Sequence, residues 1–196
     1  MQKNGLFFFA LILVVLSGCG PSREKSAARI VSLEKSLYSP QSSGLDKVKA
    51  DSLLIQYTSF IKHFPDDTMS VKYLFNAANL CMNMSEGSKA IDFFNQFIQK
   101  YPDNPRVGTC MFFKAYIYEN QLKDLEKAKE MYLQFIEKFP DSDFSKDARM
   151  AIKNLGKSPD EIVREFEEQR KADSIRIADS ITSLEPHPKG RKNKSK

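Results

Sequence analysis

The sequence predicts an all-α fold, a solenoid of antiparallel helix pairs that ends in a capping helix. Three segments are nearly alike, reading FIKHFPDD from Phe60, FIQKYPDN from Phe97 and FIEKFPDS from Phe135. The prolines within them are 37 and 38 residues apart. A period of this size is typical of stacked helical hairpins, in which each unit buries its apolar face against its neighbours. We expect such an array to bind other molecules rather than transform them.

The first residues resemble the signal peptide of bacterial lipoproteins. Lys3 gives a positive charge, residues 6–16 form an apolar run that is too short to span a bilayer, and residues 16–19 read LSGC, like a lipobox. We predict that residues 1–18 are cleaved and that Cys19 is lipidated, with palmitate among its acyl chains by resemblance. The alternative is a chance cysteine beside an ordinary cleavage site. Gly20 and the lack of a following acidic run favour the periplasmic face of the outer membrane.

The helices are predicted in order along the chain. Residues 22–38 have an amphipathic pattern, with Glu34 as the single polar interruption of the apolar face. Residues 45–64 predict a second helix, which Pro65 ends. The remaining pairs are predicted at residues 69–84 with 87–101, at residues 105–120 with 125–139, and from residues 144–155 onward. Asp67, Asn104 and either Ser142 or Asp143 are the predicted N-caps of three of these helices.

The C-terminal part lies outside the repeats, so residues 19–158 are predicted to form the repeat domain. Gly156 is expected to end the fourth pair, and Ser158 and Glu161 form a capping box that opens a helix over residues 159–183. Its first half, with Ile162, Val163 and Phe166, is expected to cap the solenoid. Its second half is expected to project and either to self-associate, to dock a partner or to remain a solvated, frayed helix; its apolar residues are Ile175, Ile177 and Ile181.

The tail, residues 184–196, is predicted to be disordered and basic. Its last ten residues carry five positive charges and no negative ones, which equals the formal net charge of +5 for the whole chain. A solubilising role is the simplest interpretation, and contact with anionic lipid headgroups or cell-wall polymers is the alternative. Nucleic acid is not an expected ligand of an exported protein.

The repeats resemble a known family. The positions of Ala90, Phe94, Phe97 and Pro102 recur as Ala128, Tyr132, Phe135 and Pro140. This pattern resembles the second helix of the tetratricopeptide repeat, and Ala78 and Ala115 fit the small residue of its first helix. The Phe-Ile-x-x-Phe/Tyr-Pro-Asp ending is similar to that of tetratricopeptide lipoproteins of the bacterial envelope, the BamD-like and Tol-Pal-associated groups. The resemblance implies a right-handed solenoid.

The same resemblance implies a concave groove lined by the first helix of each pair, which would bind other envelope proteins or extended peptides. Asn79 and Asn120 are expected to bind a peptide backbone, and the repeat frame assigns Phe112 to the groove and Phe113 to the packing side. The alternative is that all of the aromatic residues belong to the core. The predicted groove residues are Lys72, Phe75, Asn79, Met82, Asn83, Thr109, Phe112, Tyr116, Glu119, Asn120, Met150 and Asn154.

Residues suited to catalysis are scarce, so we predict no enzyme, no cofactor and no metal site. The histidines are His63, at a variable position of the repeat, and His187, in the polar tail, and no catalytic motif is present. Cys81 and Cys110 occupy different positions of the repeat, 8 residues out of register, and are predicted to be buried thiols rather than a disulfide.

The leading interpretation is an outer-membrane-anchored periplasmic tetratricopeptide lipoprotein that acts as a scaffold for protein interactions, for example as a BamD-like accessory in outer-membrane protein assembly. The alternative is an adaptor that binds peptidoglycan or glycan and works with a cell-wall enzyme or the Tol-Pal system.

Overall fold

The computed structural model describes residues 22–39 and 44–184. Within these two ranges the chain forms eight α-helices and no strand, which confirms the predicted all-α class. Every predicted helix is present, with ends that differ from the prediction by at most two residues. The helices are α1 (Arg23–Leu37), α2 (Lys47–His63), α3 (Thr68–Asn83), α4 (Gly87–Lys100), α5 (Val107–Asn120), α6 (Leu125–Lys138), α7 (Ser145–Asn154) and α8 (Pro159–Leu184). The predicted signal peptide, Cys19 and residues 185–196 of the basic tail lie outside the described residues.

Two compact units make up the structure, and the division falls between Phe97 and Ile98. Consecutive helices pack against each other within each unit. In the first unit α2 packs against both α1 and α3, and in the second α6 packs against both α5 and α7. This consecutive packing of helix pairs is the arrangement that the repeat predicts.

The turn after each repeated Pro-Asp segment is held by a side-chain cap. The cap oxygen accepts a hydrogen bond from the backbone amide two residues further on, which satisfies a donor that the first turn of a helix leaves open. The pairs are Asp67 with Met69 (2.8 Å), Asn104 with Arg106 (3.0 Å) and Ser142 with Phe144 (3.4 Å). Asp67 is therefore confirmed as the N-cap of α3. Asn104 and Ser142 form the same kind of bond in the turns just before α5 and α7, whose N-cap positions are Arg106 and Phe144.

A buried serine supports two of these turns from the inside. The Ser70 hydroxyl donates to the carbonyl of Phe64 at 2.6 Å, and the Ser145 hydroxyl donates to the carbonyl of Phe139 at 2.5 Å. These carbonyls lie at the ends of α2 and α6, where the helix itself provides no amide partner. Both serines are buried, so each bond also satisfies a hydroxyl that water cannot reach.

The core of the first unit is aromatic. The ring of Tyr57 stacks on Tyr73 at 5.3 Å between centroids, and Phe60 meets Tyr73 edge-on at 4.9 Å. All three side chains are buried. Arg23 at the start of α1 forms an ion pair with Asp67, so the side chain that caps α3 also ties down α1.

The core of the second unit combines large rings with small residues. Tyr132 and Phe135 on α6 are buried, and Phe135 has no exposed surface. Alanines at the same core allow the helix backbones to approach closely: Ala115 on α5, Ala128 on α6 and Ala148 on α7. Phe97, the counterpart of Phe135 in the first unit, is also fully buried, which confirms the predicted repeat frame at these two positions.

Both internal cysteines are buried and have free thiols. Burial raises the pKa of Cys81 to about 11 and the pKa of Cys110 to about 12. Because the thiolate is the reactive form, these two thiols are chemically inert at neutral pH. The prediction that they act as small core residues is therefore confirmed.

Helix α8 begins as predicted. Gly156 has a positive φ of 79°, a conformation that favours glycine at a helix end. The backbone amide of Ser158 donates to the Glu161 carboxylate at 2.7 Å, and the Glu161 amide donates back to the Ser158 hydroxyl at 3.3 Å, which forms the predicted capping box.

The apolar residues of α8 are less buried than the sequence suggests. Ile162, Val163 and Phe166 were all expected to pack on the repeats, but only Ile162 is half-buried, while Val163 and Phe166 are exposed. The reason is the short last pair: α7 is only 10 residues long and has one buried apolar residue, Ala148. Ile175, Ile177 and Ile181 are exposed, as predicted.

Candidate functional site

The first-unit part of the predicted groove lies along α3. Lys72 and Asn83 are exposed, whereas Asn79 and Met82 are half-buried. The Asn79 amide nitrogen donates to the carbonyl of Phe75 in the same helix at 2.9 Å. That bond holds the amide in place and leaves its oxygen available as an acceptor. The exposed part of α3 is therefore polar, and its Asn79 amide is held in a fixed orientation.

Phe75 forms the apolar floor of this face. It is half-buried, and its ring meets Phe94 and Phe97 of α4 edge-on, at 6.3 Å and 5.7 Å between centroids. These contacts hold α3 against α4 within one hairpin. Phe75 therefore stabilises the fold, and only its outer part remains for contact with a ligand.

The second-unit part lies along α5, where the exposed side chains are Tyr116 and Asn120. Tyr116 is 42% exposed although it is a large aromatic residue. The Asn120 amide nitrogen donates to the carbonyl of Tyr116 at 3.1 Å, which repeats the arrangement of Asn79 on α3. An aromatic ring beside a fixed amide provides both apolar contact and hydrogen bonding.

Phe112 is not the exposed ring that the repeat frame predicts. It is half-buried and contacts three aromatic residues: Tyr132 at 5.7 Å, Phe135 at 5.7 Å and Phe144 at 4.8 Å between ring centroids. Phe113 is half-buried as well and also contacts Phe144, at 6.1 Å. The large Phe144 ring before α7 covers both neighbours, so the predicted contrast between Phe112 and Phe113 is wrong as a statement about packing.

A polar cluster that the sequence did not reveal joins α1, α2 and α3. The Tyr57 hydroxyl donates to the Glu34 carboxylate at 2.7 Å, and the Asn76 amide donates to the same carboxylate oxygen at 3.4 Å. Burial raises the pKa of Tyr57, so its hydroxyl remains a donor at neutral pH. The available signal was Glu34 itself, the one polar residue on the apolar face of α1.

The same pairing of tyrosine with glutamate occurs in the second unit. The buried Tyr132 hydroxyl donates to the Glu119 carboxylate at 2.7 Å. Burial raises the pKa of Tyr132 and the hydrogen bond to Glu119 adds to the shift, so the hydroxyl stays protonated. Glu119 was predicted to face a ligand, but its first role is to satisfy this hydroxyl.

The contribution of the hydrogen bond between Tyr132 and Glu119 to stability can be tested with the residues that the preceding repeat holds at the equivalent positions. Tyr132→Phe should lower the free energy of unfolding by about 1 to 3 kcal/mol, because the half-buried carboxylate loses its donor. The equivalent positions of the preceding repeat hold Met82 and Phe94. Adding Glu119→Met to Tyr132→Phe recreates that apolar pair, so it should recover most of the loss in urea denaturation. A double variant less stable than Tyr132→Phe would contradict this account.

The other predicted groove residues lie in two recesses of the second unit. Thr109 lines a recess of about 550 Å³ between the start of α5 and the turn before α7, where Pro105 and residues 138–144 form the rest of the wall. Met150 and Asn154 line a recess of about 490 Å³ between α7 and α8. Thr109 and Asn154 of the predicted groove therefore line two separate recesses.

The first unit has a recess that the sequence analysis missed. It measures about 340 Å³ and lies between α2 and α4, with Leu54, Ile55 and Phe93 as its apolar residues. Ile55 is exposed. The feature of the sequence that could have indicated this recess is Ile55, a large apolar residue that lies outside the buried face of α2.

The described residues hold no group of three or more histidine, cysteine, aspartate or glutamate side chains that could bind a metal ion. His63 is exposed, and its Nδ1 lies 2.8 Å from the carbonyl of Ser59. His187 lies outside the described residues. Among the helices of the described ranges, none is long and apolar enough to cross a membrane.

Comparison with known proteins identifies the repeats. A model of the tetratricopeptide repeat family matches residues 74–104 and residues 110–142. These two segments hold most of α3 with α4, and most of α5 with α6, together with the turns that follow. No curated protein matches the chain.

Proposed function

We propose that this chain, which contains two segments that match the tetratricopeptide repeat, is a scaffold that holds other proteins together at the outer membrane of a bacterial cell envelope. Proteins of this kind are generally non-enzymatic and bind peptides or proteins along their first helices. In this proposal lipid at Cys19 anchors the chain to the periplasmic side of the membrane, and α3 and α5 present the binding faces. Its specific form is an accessory to outer-membrane protein assembly.

The observation that carries the proposal is the face of α5. Tyr116 is exposed beside the fixed amide of Asn120, while the neighbouring rings of α5 are packed against α6. An exposed tyrosine next to well-packed aromatic side chains is typical of the centre of protein interfaces.

The location rests on the sequence. The LSGC junction at residues 16–19 supports lipidation, and Gly20 supports the outer membrane. The basic residues near the C-terminus would add attraction to anionic headgroups once the chain is anchored. These features support an envelope scaffold rather than one that acts elsewhere in the cell.

Tyr116→Ala tests the binding face. We expect it to weaken capture of envelope proteins by about 30-fold, the effect of losing a 2 kcal/mol interface contact, with little change in melting temperature. The measurement is affinity capture from detergent-solubilised envelopes with the full chain as bait, quantified by mass spectrometry.

Tyr38→Ala is the matched control, because Tyr38 is 56% exposed but follows α1, which lies outside the two segments that match the repeat family. Equal capture by the wild type and by both variants would contradict the proposed face. Recovery of barrel-assembly proteins supports the specific form of the proposal, whereas recovery of murein fragments or a cell-wall amidase would replace it with the cell-wall adaptor.

A further inference from the structure

Helix α8 has an exposed face that no described residue covers. The helix has 26 residues, which gives it a length of about 39 Å. It contains no buried residue, and Val163, Phe166, Ile177 and Ile181 are all exposed. Large apolar residues along one helix are costly to leave in water and usually mark an interface.

These residues follow a heptad pattern. Positions 163, 166, 170, 173, 177 and 180 are separated alternately by three and four residues, the spacing of the contact seam in a coiled coil. Val163, Phe166 and Ile177 lie on this seam, and Ile181 lies beside its last position. The two central positions are Arg170 and Asp173, which carry opposite charges.

The seam shares one residue, Phe166, with the recess between α7 and α8. Ile162, Glu165 and Gln169 line the recess between the two helices. Val163 and Ile177 do not line that recess, whereas Phe166 lines it but is still 63% exposed. The apolar residues of the seam, Val163, Phe166 and Ile177, are thus all available for contact with a second helix.

We propose that α8 pairs with α8 of a second copy of this chain in an antiparallel coiled coil. Turning the helix around about a point between Lys171 and Ala172 maps the seam onto itself. Phe166 then lies opposite Ile177 of the second copy, Val163 lies opposite Ser180 with Ile181 beside it, and Arg170 lies opposite Asp173. Each contact occurs twice by symmetry.

The charges of Arg170 and Asp173 favour an antiparallel pair over a parallel one, and they favour a second copy of this chain as the partner. In the antiparallel pair both central layers bring Arg170 of one copy against Asp173 of the other. In a parallel pair Arg170 would face Arg170 and Asp173 would face Asp173, so both layers would repel. A seam that complements its own reverse, in charge as well as in apolar residues, fits a second copy and not an unrelated helix.

Within a single chain, the polar contacts of Asp173 are ones that a second copy can replace. Its carboxylate accepts hydrogen bonds from Arg176 at 3.0 Å and from Gln169 at 3.3 Å, both within α8. Arg176 is largely exposed, and exposed ion pairs of this kind contribute little to stability. Exchanging them for Arg170 of a second copy therefore costs little.

Charge reversal gives the decisive experiment. Arg170→Asp places carboxylates opposite carboxylates in both central layers, and Asp173→Arg places guanidinium groups opposite guanidinium groups. Each variant alone should lose self-association by about 10-fold or more. Mixed together, the two variants should associate as the wild type does, because every central layer then pairs opposite charges.

Association is measured with two differently tagged copies of the full chain, by co-purification in detergent and by sedimentation velocity, with circular dichroism to show that the variants are folded. Ile177→Ser and Ile175→Ser form a matched pair, since both isoleucines are exposed to a similar extent, 59% and 63%, on opposite sides of α8. We expect Ile177→Ser to weaken association and Ile175→Ser to leave it unchanged. A wild-type chain that never co-purifies with itself, equal effects of the two isoleucine changes, or a mixture of the charge variants that fails to associate would each overturn the proposal.

Discussion

Truncating Phe135 to alanine is expected to lower the free energy of unfolding by about 3 to 5 kcal/mol. The side chain has no exposed surface, and its ring lies 5.7 Å from Phe112 and 5.9 Å from Phe139 between centroids. Truncation of Phe135 removes both ring contacts. It also leaves a cavity, because the neighbouring core residues include small, fully buried alanines that cannot fill the space. The measurement is urea denaturation followed by circular dichroism.

Two further variants make this a test of the repeat frame. Phe97→Ala removes the equivalent ring in the first unit and should have a loss of the same size. His63→Ala changes an exposed residue near the end of α2 and should stay within about 0.5 kcal/mol of the wild type. A large effect of His63→Ala together with a small effect of Phe135→Ala would mean that the assigned helix faces are wrong.

Local and periodic features of this fold were predictable from the sequence. The side chains of Asp67 and Asn104 each accept a hydrogen bond from the amide two residues further on, so the residue type and its distance from the proline are sufficient to predict these bonds. The buried faces of α4 and α6 follow from the 38-residue recurrence of Phe97 as Phe135. Both kinds of inference need only residues that are close in sequence or related by the repeat.

Features that depend on distant residues were not predictable. Glu34 stood out as a polar residue on an apolar face, but its partner Tyr57 is 23 residues away. Phe112 was expected to be exposed, but Phe144, 32 residues further on, supplies a ring that stacks on it at 4.8 Å between centroids. A repeat pattern specifies which helix face points inward, and it does not specify which large side chain of the next helix reaches across.

The repeats also separate what stabilises the fold from what varies on its surface. The second-helix rings Phe94 and Tyr132 occupy equivalent buried positions, and the hydroxyl that Tyr132 adds is accepted by Glu119. On the first helices the equivalent of Asn79 is Tyr116. The buried ring is thus retained while the exposed side chain changes, which is how a repeat protein acquires a specific binding face without losing its core.

Replacing Cys19 with serine is expected to release the chain from the membrane. In the proposed lipoprotein the Cys19 thiol and amine carry several acyl chains, and each buried methylene group contributes about 0.8 kcal/mol to membrane binding. Two or more chains make attachment stable, whereas the serine variant offers no thiol for acylation. The described helices provide no membrane-spanning segment that would take over this role.

The measurement is the partition of the chain between washed membranes and the soluble fraction, with metabolic labelling by palmitate. Cys19→Ser should lose the label and move to the soluble fraction while its helicity, measured by circular dichroism, stays unchanged, because the change lies outside the eight helices. Cys81→Ala is the matched control: it also removes a thiol, but one that is buried in the core and cannot be acylated in the folded chain. It should keep both the label and the membrane location. Retention of Cys19→Ser in washed membranes, with no acyl label on the wild type, would contradict the lipid anchor and with it the proposed location.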